Sequence, residues 1–179
     1  TTLELADTPK KILDIGTGSG AIAIAIASLV PSSIVSAIDR SAAALLVART
    51  NGTKNDVMDR LRLMRADLHA LPFSPNSFDL IISNPPYIRN GEISNLQPEV
   101  RNHEPLLALD GGPDGLTCYR SIASQFSHLL KPGGMLAIEL PGQPPQPIVG
   151  LFSGRSENHL EIRTDWTDKP RLLTVQTST

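Results

Sequence analysis

The chain has 179 residues, of which 40% are hydrophobic and 19% charged, a soluble balance at a length that suits one domain with a substantial core. Its 16 Lys and Arg against 18 Asp and Glu leave a formal net charge of -2, which gives no support for a surface that tracks phosphates. The single Cys118 excludes an internal disulfide and fits a reducing compartment, and no apolar run reaches the length of a membrane span.

In chain order, KKILDIG (Lys10 to Gly16) reads as a short apolar strand that runs into glycines. GAIAIAIASLV (Gly20 to Val30) alternates like a strand, but its alanines and its Gly and Pro boundaries favour a buried helix. SIVSAID (Ser33 to Asp39) is a second strand that ends on a carboxylate. SAAALLVARTNG (Ser41 to Gly52) has a Ser cap, a helix-forming interior and a Gly stop. RLRLMRAD (Arg60 to Asp67) gives a third, less buried strand, and Phe78 to Ser83 a fourth. Residues 86 to 112 are polar with weak regular structure, a length that inside a compact domain points to a functional or a mobile segment.

A helix is expected from about Leu116 to Leu130, closed by Pro132-Gly133-Gly134, with Cys118 buried on it. MLAIEL is a strand, PGQPPQPIVGLFSGR a proline-rich turn and short helix, and LEIRTDWTDKPRLLTVQT an antiparallel hairpin with Trp166 packed at its edge. Strands that alternate with helices before a terminal hairpin indicate an α/β fold with a mostly parallel sheet, in one domain.

Three strand ends carry chemistry. DIGTGSG (Asp14 to Gly20) places Gly16, Gly18 and Gly20 after the first strand, which permits a tight turn and close backbone approach. The spacing is neither the dinucleotide fingerprint nor a phosphate loop, since no Lys-Ser/Thr follows. Asp39 can accept both hydroxyls of a ribose, and Asp67 an exocyclic amine of a purine. A nucleoside without a pyrophosphate is the physical expectation, and S-adenosylmethionine answers to it.

ILDIGTGSGAIAIAIA resembles the first motif of class I methyltransferases, and its wording is close to that of the protein glutamine methyltransferases. The resemblance implies a Rossmann-like three-layer sandwich with a seven-stranded sheet whose last strand is antiparallel. It also implies S-adenosylmethionine as cofactor and S-adenosylhomocysteine as product. By position, Asp14, Gly16, Thr17, Gly18 and Gly20 would meet the methionine part, Asp39 the ribose, and Asp67 and Leu68 the adenine.

The fourth strand runs into Asn84-Pro85-Pro86-Tyr87. The Asn84 carboxamide oxygen and the Pro85 backbone carbonyl are two acceptors that can aim one NH₂ at a methyl donor. Proline stiffens the turn, and Tyr87 can cover the flat face of an amide or base. Asn84 is also expected beside the cofactor. This logic suits amides, adenine N6 and guanine N2 alike, so a nucleic-acid amino methyltransferase and a non-catalytic cofactor-binding subunit remain alternatives.

EVRNHEPLLALDGGPDGLTCYRSI (Glu99 to Ile122), LKPGGMLAIEL and DWTDKPRLL narrow the resemblance to enzymes that methylate the glutamine of the Gly-Gly-Gln motif in bacterial or organellar release factors. The closing motif is similar to the family's D-x-x-G-x-x-R, with Asp168 where Gly is common. A release factor is the implied partner, and cytoplasm or organellar matrix the implied location. Two features depart from the family. Almost nothing precedes Lys10, where the family carries a helical docking domain, so residues 1–179 are expected to be the catalytic domain alone. ELPGQPPQPIV replaces the usual E-I-G and adds prolines.

The four histidines, His69, His103, His128 and His159, show no metal spacing, so no metal is expected. His103 lies in the long loop, where it could touch substrate. Met58, Met64 and Met135 are read as packing residues.

Overall fold

Seven strands form one sheet in the order β3-β2-β1-β4-β5-β7-β6. The computed structural model describes residues 10–142, 145–153 and 159–178, without the side chains of Val100, Asn102 and His103. The first half alternates β1 (Lys11–Ile15), α1 (Ala21–Leu29), β2 (Ile34–Asp39), α2 (Ala42–Lys54) and β3 (Leu61–Arg65). After β4 (Phe78–Ser83) come a 3-10 helix at Asn90–Asn95, α3 (Pro98–His103), α4 (Leu106–Leu109) and α5 (Thr117–Leu129). β5 (Leu130–Glu139), α6 (Gln146–Phe152), β6 (His159–Thr164) and β7 (Pro170–Gln176) complete the chain.

β1 pairs in parallel with β2 and β4, and β4 with β5, while β7 runs antiparallel to both β5 and β6. The expected class I methyltransferase arrangement, with its antiparallel terminal hairpin, is therefore present. Strand order reverses between β1 and β4, and open α/β sheets gather ligands in the crevice beyond such a switch point.

Alternation along the strands divides the core into two layers. Ile12, Val35, Ala37, Leu61 and Leu80 face Ala23, Ile24 and Ala27 of α1, which is the buried helix expected from its alanines. Leu13, Ile15, Ile38, Ile81, Leu136 and Ile138 face Tyr119, Ile122, Phe126 and Leu129 of α5 and Ile148 and Phe152 of α6. Cys118 is buried on α5, and Met58, Met64 and Met135 pack against the two layers. Among the described residues, no helix is long and apolar enough to cross a membrane.

Several expectations need correction. α2 begins on the expected cap, Ser41 Oγ accepting from Ala44 N at 3.2 Å, but it does not stop at Gly52. It runs through Gly52 to Lys54, because a Cβ there would lie 2.7 Å from the Met58 sulfur and the helix needs that close approach. Lys131-Pro132-Gly133-Gly134 does not separate α5 from its strand. It belongs to β5 as a bulge, the step from Phe78 to Leu80 on β4 being matched by Leu130 to Met135. Residues 86–112 are not mostly irregular but hold three short helices. Trp166 does not pack at the sheet edge: it is 96% exposed at the tip of the β6–β7 turn, where no layer covers it. Gln143 and Pro144 of the proline-rich turn, and the 154–155 end of the helix read there, lie outside the described residues.

Candidate active site

Hydrogen bonds stitch four strand ends into one rim. Ala66 N, just past β3, donates to Asp39 O at 3.1 Å, and Gly16 N and Thr17 N donate to Ile38 O at 2.9 Å. Ser83 Oγ, at the end of β4, donates to Ile15 O at 2.8 Å across the switch point. Gly16 to Gly20, Asp39, Asp67 and Asn84 thus lie along the same edge of the sheet.

Within the glycine loop, Gly16 and Gly18 adopt φ of +72° and +56°, which favours glycine, and a Cβ on either would meet no atom within 4 Å. The loop therefore opens on free space with its backbone bare. Asp39 is already oriented, with Gly18 N at 2.9 Å from Oδ2 and Ser41 N at 2.8 Å from Oδ1. Gly20 caps α1, which starts one residue later than Gly20 itself.

Asp14 lies under this loop, 1% exposed, and accepts from Thr17 Oγ1 at 2.7 Å through Oδ2. Burial pushes its carboxyl up to about 6, against the opposing pull of Thr17 and the Ala23 amide and with a small push from Asp39. Oδ1 has no hydrogen-bond partner among the described residues, which makes it a buried acceptor in want of a donor.

Beyond β2 and β3 an open pocket of about 310 Å³ is lined by Arg40, Arg65, Ala66 and Asp67. Arg65 Nε donates to Arg40 O at 3.0 Å, and Asp67 Oδ1 accepts from His69 N at 2.9 Å. Leu68, next in the chain after Asp67, is half-buried against the core. The donor set between Asp14 and Gly20 contains acceptors and backbone amides but no cationic side chain. Together with Asp39, which already occupies the Gly18 amide, it fits a hydroxylated nucleoside that carries an ammonium and a sulfonium, and the two carboxylates oppose a pyrophosphate on the same loop.

Asn84 is exposed at the rim, Pro85 is buried, and Pro86 and Tyr87 are half-buried. What holds them was not read from the sequence. Ile88 N donates to Leu109 O at 3.0 Å, Gly111 N to Ile88 O at 2.8 Å, and Asn90 N to Gly112 O at 3.1 Å. A Cβ on Gly111 would lie 2.8 Å from the Tyr87 Cα, so LDGGPDG is a strap laid directly on the tyrosine backbone. Its crowded glycines were the available signal. Arg120, unassigned from sequence, pairs with Asp114 and closes this strap onto α5. Arg120 holds the Asp114 carboxyl down at about 2.

Tyr119, fully buried on α5, donates to Glu139 O at 2.9 Å, and burial pushes its phenol well up. Arg171 on β7 is bound by Asp165 at 2.9 Å, and a Cβ on Gly142 would lie 2.8 Å from its guanidinium. Asp168 sits at φ +59°, the conformation that explains glycine in the pattern D-x-x-G-x-x-R. Glu104 is exposed. The side chain of His103 lies outside the described residues, and no group of His, Cys, Asp or Glu among those described could hold a metal.

A family model described as "Methyltransferase domain" matches residues 6–173. The chain belongs to this methyltransferase family. It is 44% identical over 166 residues to the release factor glutamine methyltransferase of Gloeobacter violaceus, covering 91% of this chain and 57% of that protein. It is also 44% identical over 153 residues to the release factor glutamine methyltransferase of Caulobacter vibrioides, covering 86% of this chain and 52% of that protein. The chain thus spans little more than half the length of these curated relatives. Among solved structures, TrmN from Thermus thermophilus superposes with a TM-score of 0.67 at 25% identity, over 98% of this chain and 46% of that one.

Proposed function

We propose that this chain transfers a methyl group from S-adenosylmethionine to the side-chain amide nitrogen of the glutamine in the Gly-Gly-Gln motif of a peptide-chain release factor. The observation that carries the reading is the placement of Asn84 to Tyr87 immediately across the switch point from the glycine loop, fastened there by Ser83 Oγ on Ile15 O at 2.8 Å. A methyl donor seated on the loop and an amide gripped by Asn84 would meet over that seam. The relatives named for this activity support the choice of substrate.

When bound, S-adenosylmethionine supplies a methyl group activated on a sulfonium sulfur. Gly16, Thr17, Gly18 and Gly20 present the backbone that meets its methionine part, with Asp14 beneath as a negative acceptor for its ammonium. Asp39, pre-set by two backbone amides, takes the ribose hydroxyls, and Asp67 and Leu68 flank the adenine. Asn84 Oδ1 and the Pro85 carbonyl accept the two amide hydrogens of the glutamine and orient its nitrogen lone pair. Pro86 stiffens the turn, and the Tyr87 ring covers the flat amide. Holding two reactants in attack geometry supplies roughly 7–11 kcal/mol of a barrier in well-oriented cases, which matters for an amide nitrogen of poor nucleophilicity.

Residues 1–179 act in this reading as the catalytic domain, working in the cytoplasm or an organellar matrix. The test is transfer from labelled S-adenosylmethionine to a release factor and, in parallel, to unstructured nucleic acid. Label in the protein supports the reading. Label in nucleic acid alone would replace it with amino methylation of a base, and tight cofactor binding without transfer would favour a non-catalytic role.

A further inference from the structure

β4 and β5 run in parallel register at the rim, Ile82 opposite Ala137 and Ser83 opposite Ile138. Continued by one residue past the end of β4, that register brings Asn84 alongside Glu139, the last residue of β5. Alternation puts both on the sheet face of Ile82 and Ala137, the face that packs on α1. Neighbouring strands lie about 4.8 Å apart, so a glutamate side chain on that face is long enough to span the gap toward the Asn84 carboxamide.

Glu139 is held by its backbone and left free at its carboxylate. Its carbonyl accepts the Tyr119 hydroxyl at 2.9 Å, and its main chain pairs with Leu172 of β7. The carboxylate itself makes no hydrogen bond or ion pair among the described residues, although it is half-buried. The charged and titratable groups that act around it are Arg171 on β7, already bound to Asp165, Tyr119 on α5, and Tyr87 near both. A half-buried carboxylate without a partner, next to the residue that grips the substrate, is poorly explained by packing.

We propose that the Glu139 carboxylate faces the substrate nitrogen, stabilises the positive charge that develops there, and takes the proton that this nitrogen sheds. The proposal rests on the reading of the site as an amide methyltransferase. The nitrogen lone pair forms the new N–C bond while the C–S bond breaks with its electrons left on sulfur. The nitrogen, now carrying two hydrogens, a methyl and the acyl group, then gives one proton to Glu139, which passes it to water. The sulfonium and carboxylate become a neutral thioether and a carboxylic acid, so charge and atoms balance. Burial raises the Glu139 carboxyl above its ordinary value, against the pull of Arg171, which makes it a better proton acceptor than a surface carboxylate.

The test compares the full chain with Glu139→Gln and Glu139→Asp in steady-state transfer to a release factor across a range of pH, with cofactor affinity measured by calorimetry. Glu139→Gln keeps the shape and a hydrogen-bond acceptor but cannot take the proton. It should lower kcat by about 100-fold, the usual scale for losing one acid–base or charge-stabilising group. The wild-type rate should rise with pH through the Glu139 titration, and that acid limb should vanish in Glu139→Gln and persist in Glu139→Asp, with cofactor affinity unchanged in both. A Glu139→Gln enzyme with wild-type kcat and an intact acid limb overturns the proposal. So does a loss confined to cofactor affinity or thermal stability, which would make Glu139 structural. A wild-type chain that binds cofactor yet never methylates the amide defeats the functional reading first, and the role of Glu139 with it.

Discussion

Asp165 and Arg171 close the β6–β7 turn on each other. The Asp165 carboxylate accepts Arg171 Nε at 2.9 Å, and it also accepts Thr167 N at 2.7 Å, Thr167 Oγ1 at 2.6 Å and Lys169 N at 3.3 Å. One side chain thereby organises the turn and holds the arginine against Gly142, at the end of the sheet that carries Tyr87.

This arrangement has a pH signature. The Thr167 hydroxyl, then Arg171, hold the Asp165 carboxyl far below its ordinary value of 3.8. A depressed carboxyl stabilises the fold fully above its unfolded value and loses that contribution as pH falls through the folded one. Asp165→Asn should lower Tm at neutral pH, and the gap to wild type should close in strong acid. A gap independent of pH would mean that shape rather than charge holds the turn.

Asp14 has the opposite sign. Its carboxyl is raised from 3.8 to about 6, so the folded state binds the extra proton and stability falls as pH rises between those values. A shift of that size corresponds to roughly 3 kcal/mol of cost at neutral pH. Asp14→Asn should therefore raise Tm at pH 7 and flatten the slope between pH 4 and 6. It should also weaken S-adenosylmethionine binding, measured by calorimetry, because the acceptor for the ammonium loses its charge. A less stable Asn variant would contradict the account.

Gly111 tests the strap. A methyl group there would press within 2.8 Å of the Tyr87 main chain, where backbone rather than a flexible side-chain end must move. Gly111→Ala should cost about 1–3 kcal/mol in unfolding free energy, the usual range for overpacking. It should also raise the KM for protein substrate more than the Kd for cofactor, since Tyr87 moves and the glycine loop does not. Equal damage to both would show that the strap supports the whole rim.

The parts legible in the sequence were those with local causes. β1, β2 and β4 are apolar runs, α2 begins on the Ser41 side chain, and the glycine loop has positive φ where glycine stands at Gly16 and Gly18. What escaped depends on contacts distant in sequence. Pro132 and Gly133 read as a break, yet their segment bulges within β5 because β7 and the chain end pair with it, Gly133 N donating to Ser178 O at 2.9 Å. Gly52 reads as a helix stop until Met58 and Leu61 are seen against it. The strap from Leu109 to Gly115 could be matched to a family, but its grip on Tyr87 emerges only when the two loops meet. Trp166 reads as an edge-packing residue because large aromatic rings usually bury, but the turn holds it out in solvent where no layer reaches it.

Asn84 separates chemistry from cofactor retention. Asn84→Ala removes one of two acceptors for the substrate amide but touches none of the hydrogen bonds that set the glycine loop or Asp39. Turnover should fall by at least about 100-fold, as expected when an orienting, charge-stabilising contact is lost, while cofactor Kd stays nearly constant. An unchanged rate would remove Asn84 from the mechanism.

The most direct measurement is mass mapping of a release factor after incubation with this chain and labelled S-adenosylmethionine. A single methyl on the side chain of the Gly-Gly-Gln glutamine, absent with Asn84→Ala, is the predicted result. A methyl on any other residue, or none on the protein while nucleic acid takes the label, would contradict the central claim.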